Sequence, residues 1–186
     1  MEKLYKFGFL NPDDQPYHYP NVWAIQQTSG ENRLAIGPRT GYVNVLLRLI
    51  EAMPEPFWVL YVLVVPRVGS ESGRYQSSEP QTREAVCRCL KEFEDFLELD
   101  GRHHFWMKSV SAPAMLVYDR HNLIYGYGPL SEFETILFEM GLEEGQTVQV
   151  PSSHVHHYNQ NFDEDEHRIL ANLPWTRTPL READDD

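Results

Sequence analysis

Met115-Leu116-Val117-Tyr118-Asp119-Arg120-His121-Asn122-Leu123-Ile124-Tyr125-Gly126-Tyr127 reads as two short apolar and aromatic runs on either side of a polar turn. Runs of this length and composition are strands, and Arg120-His121-Asn122 is a tight connection between them, so the segment predicts a β-hairpin. His104 to Val110 is a third run of the same kind just upstream. Three consecutive strands joined by short links make a local antiparallel sheet, and the remaining elements have to pack against it.

Working outward, Ser131 with Glu134 has capping-box spacing, Phe133, Ile136, Leu137 and Met140 supply a helical stripe, and Gly141 is placed to close it. Upstream, Ser78-Glu79-Pro80-Gln81 has the same spacing and predicts a helix from about residue 79 to Gly101, with Val86, Cys89 or Leu90, Phe93, and Phe96 or Leu97 facing a core. Val43, Leu46, Leu47, Ile50 and Met53 recur at helical spacing before Pro54 and Pro56. Phe57 to Val65 is apolar on both faces, as a central strand is. The stretch Pro66 to Ser78, with Gly69, Gly73 and four serines, reads as a flexible loop. A strand is expected near Thr147 to Val150, and Asp163 with Glu166 is expected to cap a last helix carrying Ile169, Leu170 and Leu173.

These elements do not alternate regularly enough for a doubly wound parallel sheet. They predict an α+β fold in one domain spanning 1–186: a mixed, mainly antiparallel sheet of about five strands with about four helices on one or both faces. The first 33 residues or so, rich in proline and containing Asn11-Pro12-Asp13-Asp14 and Tyr17-His18-Tyr19-Pro20, read as an irregular arm. Residues from about 174 to 186 read as an acidic tail that frays.

The formal net charge is −12 and no long stretch is basic, so a phosphate backbone is repelled and nucleic-acid binding is not expected. The longest apolar run, Phe57 to Pro66, is far short of the roughly 20 residues of a membrane helix, and Met1 to Phe7 contains no signal-peptide core. Cys87 and Cys89 lie two apart on one helix, where side chains diverge and cannot readily bridge. A cytoplasmic protein with reduced thiols is the expectation.

Seven of the eight histidines follow residue 102, three of them in Ser153-His154-Val155-His156-His157-Tyr158. If that stretch is extended, His154 and His156 share a side and His157 faces the other way. Neutral imidazoles suit one divalent transition metal such as zinc, with further ligands required from among His103, His104, Asp119 or His121. Asp119 and His121 are also candidates for general acid–base chemistry, Asp119 orienting His121, although alternation along a strand need not let them meet. Arg67 and Arg74, flanking Gly69-Ser70-Glu71-Ser72-Gly73, are candidates for holding a carboxylate or phosphate.

Two functions fit these features. Net acidity and abundant tyrosine and tryptophan favour a non-catalytic binding protein without a cofactor, of the inhibitor or immunity type, that neutralises a basic protein partner. The alternative is a metal-dependent hydrolase, or other small-molecule enzyme, built on His154 and His156.

Overall fold

The hairpin forms where the sequence places it. Strands Met115–Tyr118 and Ile124–Tyr127 pair from Met115 opposite Tyr127 to Tyr118 opposite Ile124, and Asn122 at the tip takes a φ of 60°, a left-handed conformation that asparagine tolerates. The structure is a computed structural model describing residues 4–9 and 15–184; the expected interruption at Asn11 to Asp14 and the last two tail residues lie outside the described residues.

In chain order the strands are β1 (Phe7–Phe9), β2 (Val22–Gln26), β3 (Arg33–Gly37), β4 (Phe57–Leu63), β5 (Gly73–Ser77), β6 (His103–Ser109), β7 and β8 (the hairpin), β9 (Glu143–Glu144), β10 (His154–His156) and β11 (Trp175–Thr178). The helices are α1 (Tyr42–Leu49), α2 (Arg83–Glu92), α3 (Glu94–Leu99), α4 (Leu130–Glu139) and α5 (Asp163–Asn172). Nine strands form one sheet in the order β11-β5-β4-β6-β7-β8-β3-β2-β9, while β1 and β10 pair as a separate ribbon. Among the described residues only β2 and β9 pair in parallel, and the other strand pairings are antiparallel. The α+β class and the mainly antiparallel sheet agree with the sequence reading. The expected five strands and four helices become eleven strands and five helices among the described residues.

The extra strands have physical reasons to escape notice. Gly73-Arg74-Tyr75-Gln76-Ser77 carries no aliphatic residue, yet it is a strand: Tyr75 is opposite Tyr61 of β4, and Arg74 is ion-paired with Asp184. The polar β11 adds to the sheet edge along β5, so the tail expected to fray is fastened through Thr178 and again at Asp184. The arm expected to be irregular supplies β1 and β2. Conversely, 147–150 is not a strand; Val148 is buried against the arm instead.

The helix boundaries shift for similar reasons. The expected start near residue 79 gives way to Thr82, whose side chain accepts from the Ala85 amide, and the helix breaks at Phe93 to give α2 and α3. Ser131 and Glu134 do not form a capping box, since α4 starts at Leu130 behind Pro129. Asp163 does not cap α5; Phe162 takes that place, and Asp163 and Glu166 turn to Arg67 and Arg102.

The pairing registers divide the sheet into two faces. Phe57, Val59, Tyr61, Phe105, Met107, Leu116, Tyr118, Ile124, Leu34 and Ile36 join the helices in the main core, which includes Val43, Leu46, Leu49, Leu90, Phe96, Leu97, Phe133, Leu137 and Ile169. The alternate residues face away. Cross-strand partners Leu60, Trp106, Val117, Tyr125 and Ala35 form one row of that second face, and Ala35 continues to Ala24. One end of this face is covered by Phe7, Tyr19 and Val148, packed on Ala24, Ala35 and Leu123. Toward the other end the C-terminal turn lies on the face, Asp184 meeting Arg74 and His104, and between the two covers a cleft remains, bordered by Val150 and Ala183. No helix among the described residues is long and apolar enough to cross a membrane.

A buried guanidinium fastens the edge of this arrangement. Arg102, wholly inaccessible, donates from Nε and Nη2 to the two Asp100 oxygens (2.7 and 3.0 Å), from Nη1 to Glu166 (2.7 Å) and from Nη2 to the Asn159 carbonyl (2.9 Å). Burial alone disfavours its charge, but Asp100 and Glu166 outweigh that and hold it firmly protonated. Arg102→Met leaves two buried carboxylates unpaired and is expected to lower unfolding stability by about 3–5 kcal/mol. Arg168→Met, which breaks the half-exposed pairs with Glu92 and Asp165, is expected to cost below about 1 kcal/mol in the same urea titration.

Candidate metal centre

Three histidines meet where the hairpin tip touches the β1–β10 ribbon. His154 and His156 project to one side of β10, as period two requires, and His121 reaches them from the β7–β8 turn. Ring centroids are 5.1 Å apart for His121–His154, 4.8 Å for His121–His156 and 5.3 Å for His154–His156. One donor atom from each lies within 4.8 Å of the other two. Three imidazoles around one tetrahedral ion, with metal–nitrogen bonds of about 2.0–2.1 Å, place their ring centroids about 5 Å apart, so the triangle has the right size.

Two of the rings are held in the tautomer that a metal ligand needs. Asp119 Oδ2 accepts from His121 Nδ1 (3.2 Å), and the Pro151 carbonyl accepts from His154 Nδ1 (2.7 Å), so Nε2 of each carries the free lone pair. Asp119 reaches His121 because residues 119–122 turn rather than continue as a strand; its Oδ1 also accepts from the His121 and Leu123 amides (both 2.9 Å). Burial opposes the Asp119 charge, but the His121 hydrogen bond and the nearby His121 and His104 lower its pKa below the ordinary carboxylate value. The Nδ1 of His156 is buried and has no hydrogen-bond partner among the described residues. Burial, with Arg120, His121, His154 and Lys6 adding to it, pushes the His156 pKa down to about 2, so the ring is neutral and able to ligate.

The supporting structure is specific. Phe7 of β1 packs against all three rings, with centroids 5.4, 5.2 and 5.6 Å from His121, His154 and His156. Gly101, expected only to end a helix, is where β10 crosses: a Cβ there would stand 3.0 Å from His156 Cβ and from the Lys6 carbonyl. The Gly101 amide donates to the His157 carbonyl (2.8 Å), and the His157 amide donates to Lys6 (3.0 Å).

The other sequence candidates lie elsewhere. His103 faces the helices, its ring 4.5 Å from Phe96 and 5.4 Å from Tyr61, because strand alternation sends it opposite to His104. His104 lies on the same face as Asp119, but its Nε2 is hydrogen-bonded to the Asp184 carbonyl (3.1 Å), and burial lowers its pKa to about 4. His157 turns away from the cluster and packs on Tyr5. Arg67 and Arg74 are ion-paired within the chain, to Asp163 and Asp184 respectively. Cys87 and Cys89 are free thiols, and burial pushes the Cys89 thiol up to about 12, an inert state.

Asp119 and His121 also line the inner end of a cleft of about 510 Å³ on the open sheet face, which runs past Trp106, Val117 and Tyr125 to Arg33 and Tyr127. Sequence reasoning missed Arg33, Phe7 and Lys6. No spacing rule ties them to the histidines, and their place in the site follows only from the tertiary structure. Comparison with protein-family models, with curated proteins and with solved structures finds no match for this chain.

Lys6 lies beneath the cluster, fully buried, donating to the Leu97 carbonyl (3.0 Å) with its ammonium 3.9 Å over the Tyr118 ring. Burial lowers its pKa to about 7 despite Asp119, Asp100 and Glu98. The unfolded chain therefore holds one more proton than the folded protein between about pH 7 and the ordinary value of 10.5, and stability from this group rises with pH across that window. Lys6→Met is expected to be favoured most over the wild type at pH 6.5, with the gap narrowing by pH 9.5 when urea midpoints are compared.

Proposed function

We propose that the protein is an enzyme dependent on one divalent transition-metal ion, zinc fitting the donor set best, that acts hydrolytically on a small molecule in the cleft. The observation that carries this reading is the convergence of His121, His154 and His156, with Asp119 and the Pro151 carbonyl fixing two of the rings. Neutral nitrogen ligands suit such an ion, and a bound ion supplies polarisation of an oxygen and a lowered pKa for a coordinated water. His121, His154 and His156 would hold the ion, and their donor atoms, now within 4.8 Å of one another, would need to approach the roughly 3.3 Å that separates neighbouring ligands in a tetrahedral site. Asp119 keeps His121 oriented and offsets the positive charge of the ion, Lys6 and Arg120.

The non-catalytic inhibitor reading rests on the net charge of −12 and on the abundance of tyrosine and tryptophan. It gains less from the geometry, because the acidic first turn of α5 is largely committed within the chain: Asp163 to Arg67, Asp165 to Arg168 and Glu166 to Arg102.

Elemental analysis of protein purified without a histidine tag tests the reading. Close to one equivalent of zinc, or of a competing transition metal, is expected, falling below about a tenth in the His154→Ala/His156→Ala variant. Wild-type protein that stays below about a tenth of an equivalent, even after zinc is supplied and excess removed, overturns it. Asp119→Asn is expected to bind the ion about 10–100-fold more weakly, read by competition with a chelating dye.

A further inference from the structure

The cleft has a second chemically distinct end. Arg33 of β3 lies with its guanidinium carbon 3.9 Å over the Tyr125 ring and 5.8 Å from the centre of Tyr127. Its Nε donates to Gln26 Oε1 (3.0 Å) and its Nη1 to the Tyr127 hydroxyl (2.8 Å). These are neutral acceptors. Among the described residues Arg33 has no carboxylate partner, and its Nη2 makes no hydrogen bond. Arg33 is the arginine that lines the cleft, and Arg74 on the same sheet face is ion-paired with Asp184. In a chain with a net charge of −12, a half-buried guanidinium kept free of carboxylates and clamped on two tyrosine rings is a preorganised anion anchor.

The floor between the two ends is flat and apolar. Trp106, Val117 and Tyr125 are direct cross-strand neighbours, with Met115 and Tyr127 in the next row. From the row of Tyr127 and Arg33 to the row of Leu123 and Asp119 is four residues along the strands, or about 13 Å at the usual rise. That span accommodates a small molecule of two fused or linked rings with a terminal group.

We propose that the cleft binds a small molecule with a flat apolar body and an oxyanion end group, carboxylate or phosphate, the body lying on Trp106 and Tyr125 and the oxyanion held by Arg33. The opposite end of that ligand is then delivered to His121. This assignment deepens the metal-enzyme reading and depends on it only for which end reacts.

Calorimetric titration of the metal-free full-length protein with 2-naphthoate, 2-naphthyl phosphate and the neutral 2-naphthamide tests it. One or both anions are expected to bind at least about tenfold more tightly than the amide, the size of one charge-assisted contact. Whichever anion is preferred identifies the end group. Arg33→Gln is expected to remove the preference, and Arg33→Lys, which keeps the charge but not the fork, to retain part of it. His154→Ala is expected to leave the preference intact while losing metal uptake, so the two readings fail separately. Equal affinity for anion and amide, or no binding of any probe, overturns the proposal. So does a preference that survives Arg33→Gln, or one that arises only on zinc loading, and in that last case the metal centre stands without it.

Discussion

The buried Arg102 guanidinium is the constraint on which the site's architecture rests. It has no water to solvate it, so its charge is tolerable only while Asp100, Glu166 and the Asn159 carbonyl stay in place around it. Those partners come from the end of α3, the first turn of α5 and the segment just beyond β10. Asp100 also accepts from the Asn159 amide (2.7 Å), and the Asn159 side chain donates to the Leu99 carbonyl (2.6 Å). One ionic network therefore sets where the chain leaves the histidine ribbon, and so where His154 and His156 point.

The sheet then separates two kinds of work. Its helical side carries the main apolar core, including residues from all five helices. Its opposite side is left unfinished: the N-terminal arm covers one end, and the remaining aromatic row borders a cleft between an oriented histidine group and a carboxylate-free arginine. Burial of that aromatic row would have added stability, at about 25 cal/mol per Å² of apolar area. The fold instead leaves Trp106, Tyr125 and Tyr127 partly accessible, an arrangement that suits recognition better than packing.

What the sequence disclosed followed how far each signal is local. The β7–β8 hairpin, α1 and the shared side of His154 and His156 follow from spacing within a dozen residues, and each has its expected geometry. Arg74 and Tyr75 in β5, and Thr176 and Arg177 in β11, are polar because they sit at a sheet margin and engage distant partners, so periodicity could not distinguish them from loop. His121 and Asp119 were visible as chemistry but not as neighbours of His154, because the long chain segment between them is closed by tertiary contacts, among them the β1–β10 pairing and the Arg120–Tyr158 hydrogen bond. Gly101 looked like a helix stop and is a crossing point; the two roles call for the same residue and only the tertiary structure separates them.

The β1–β10 ribbon is only two strands wide, and such a pair is marginal on its own. Besides backbone pairing, contacts of Phe7 and the three histidines, and the Arg120–Tyr158 hydrogen bond just after β10, attach it to the hairpin tip. An ion held by His121, His154 and His156, as proposed, would therefore act as a latch, joining the hairpin tip in the middle third of the chain to β10 in the last. Its binding free energy would then add to the stability of the β1–β10 pairing, because a ligand that binds only the folded arrangement stabilises that arrangement.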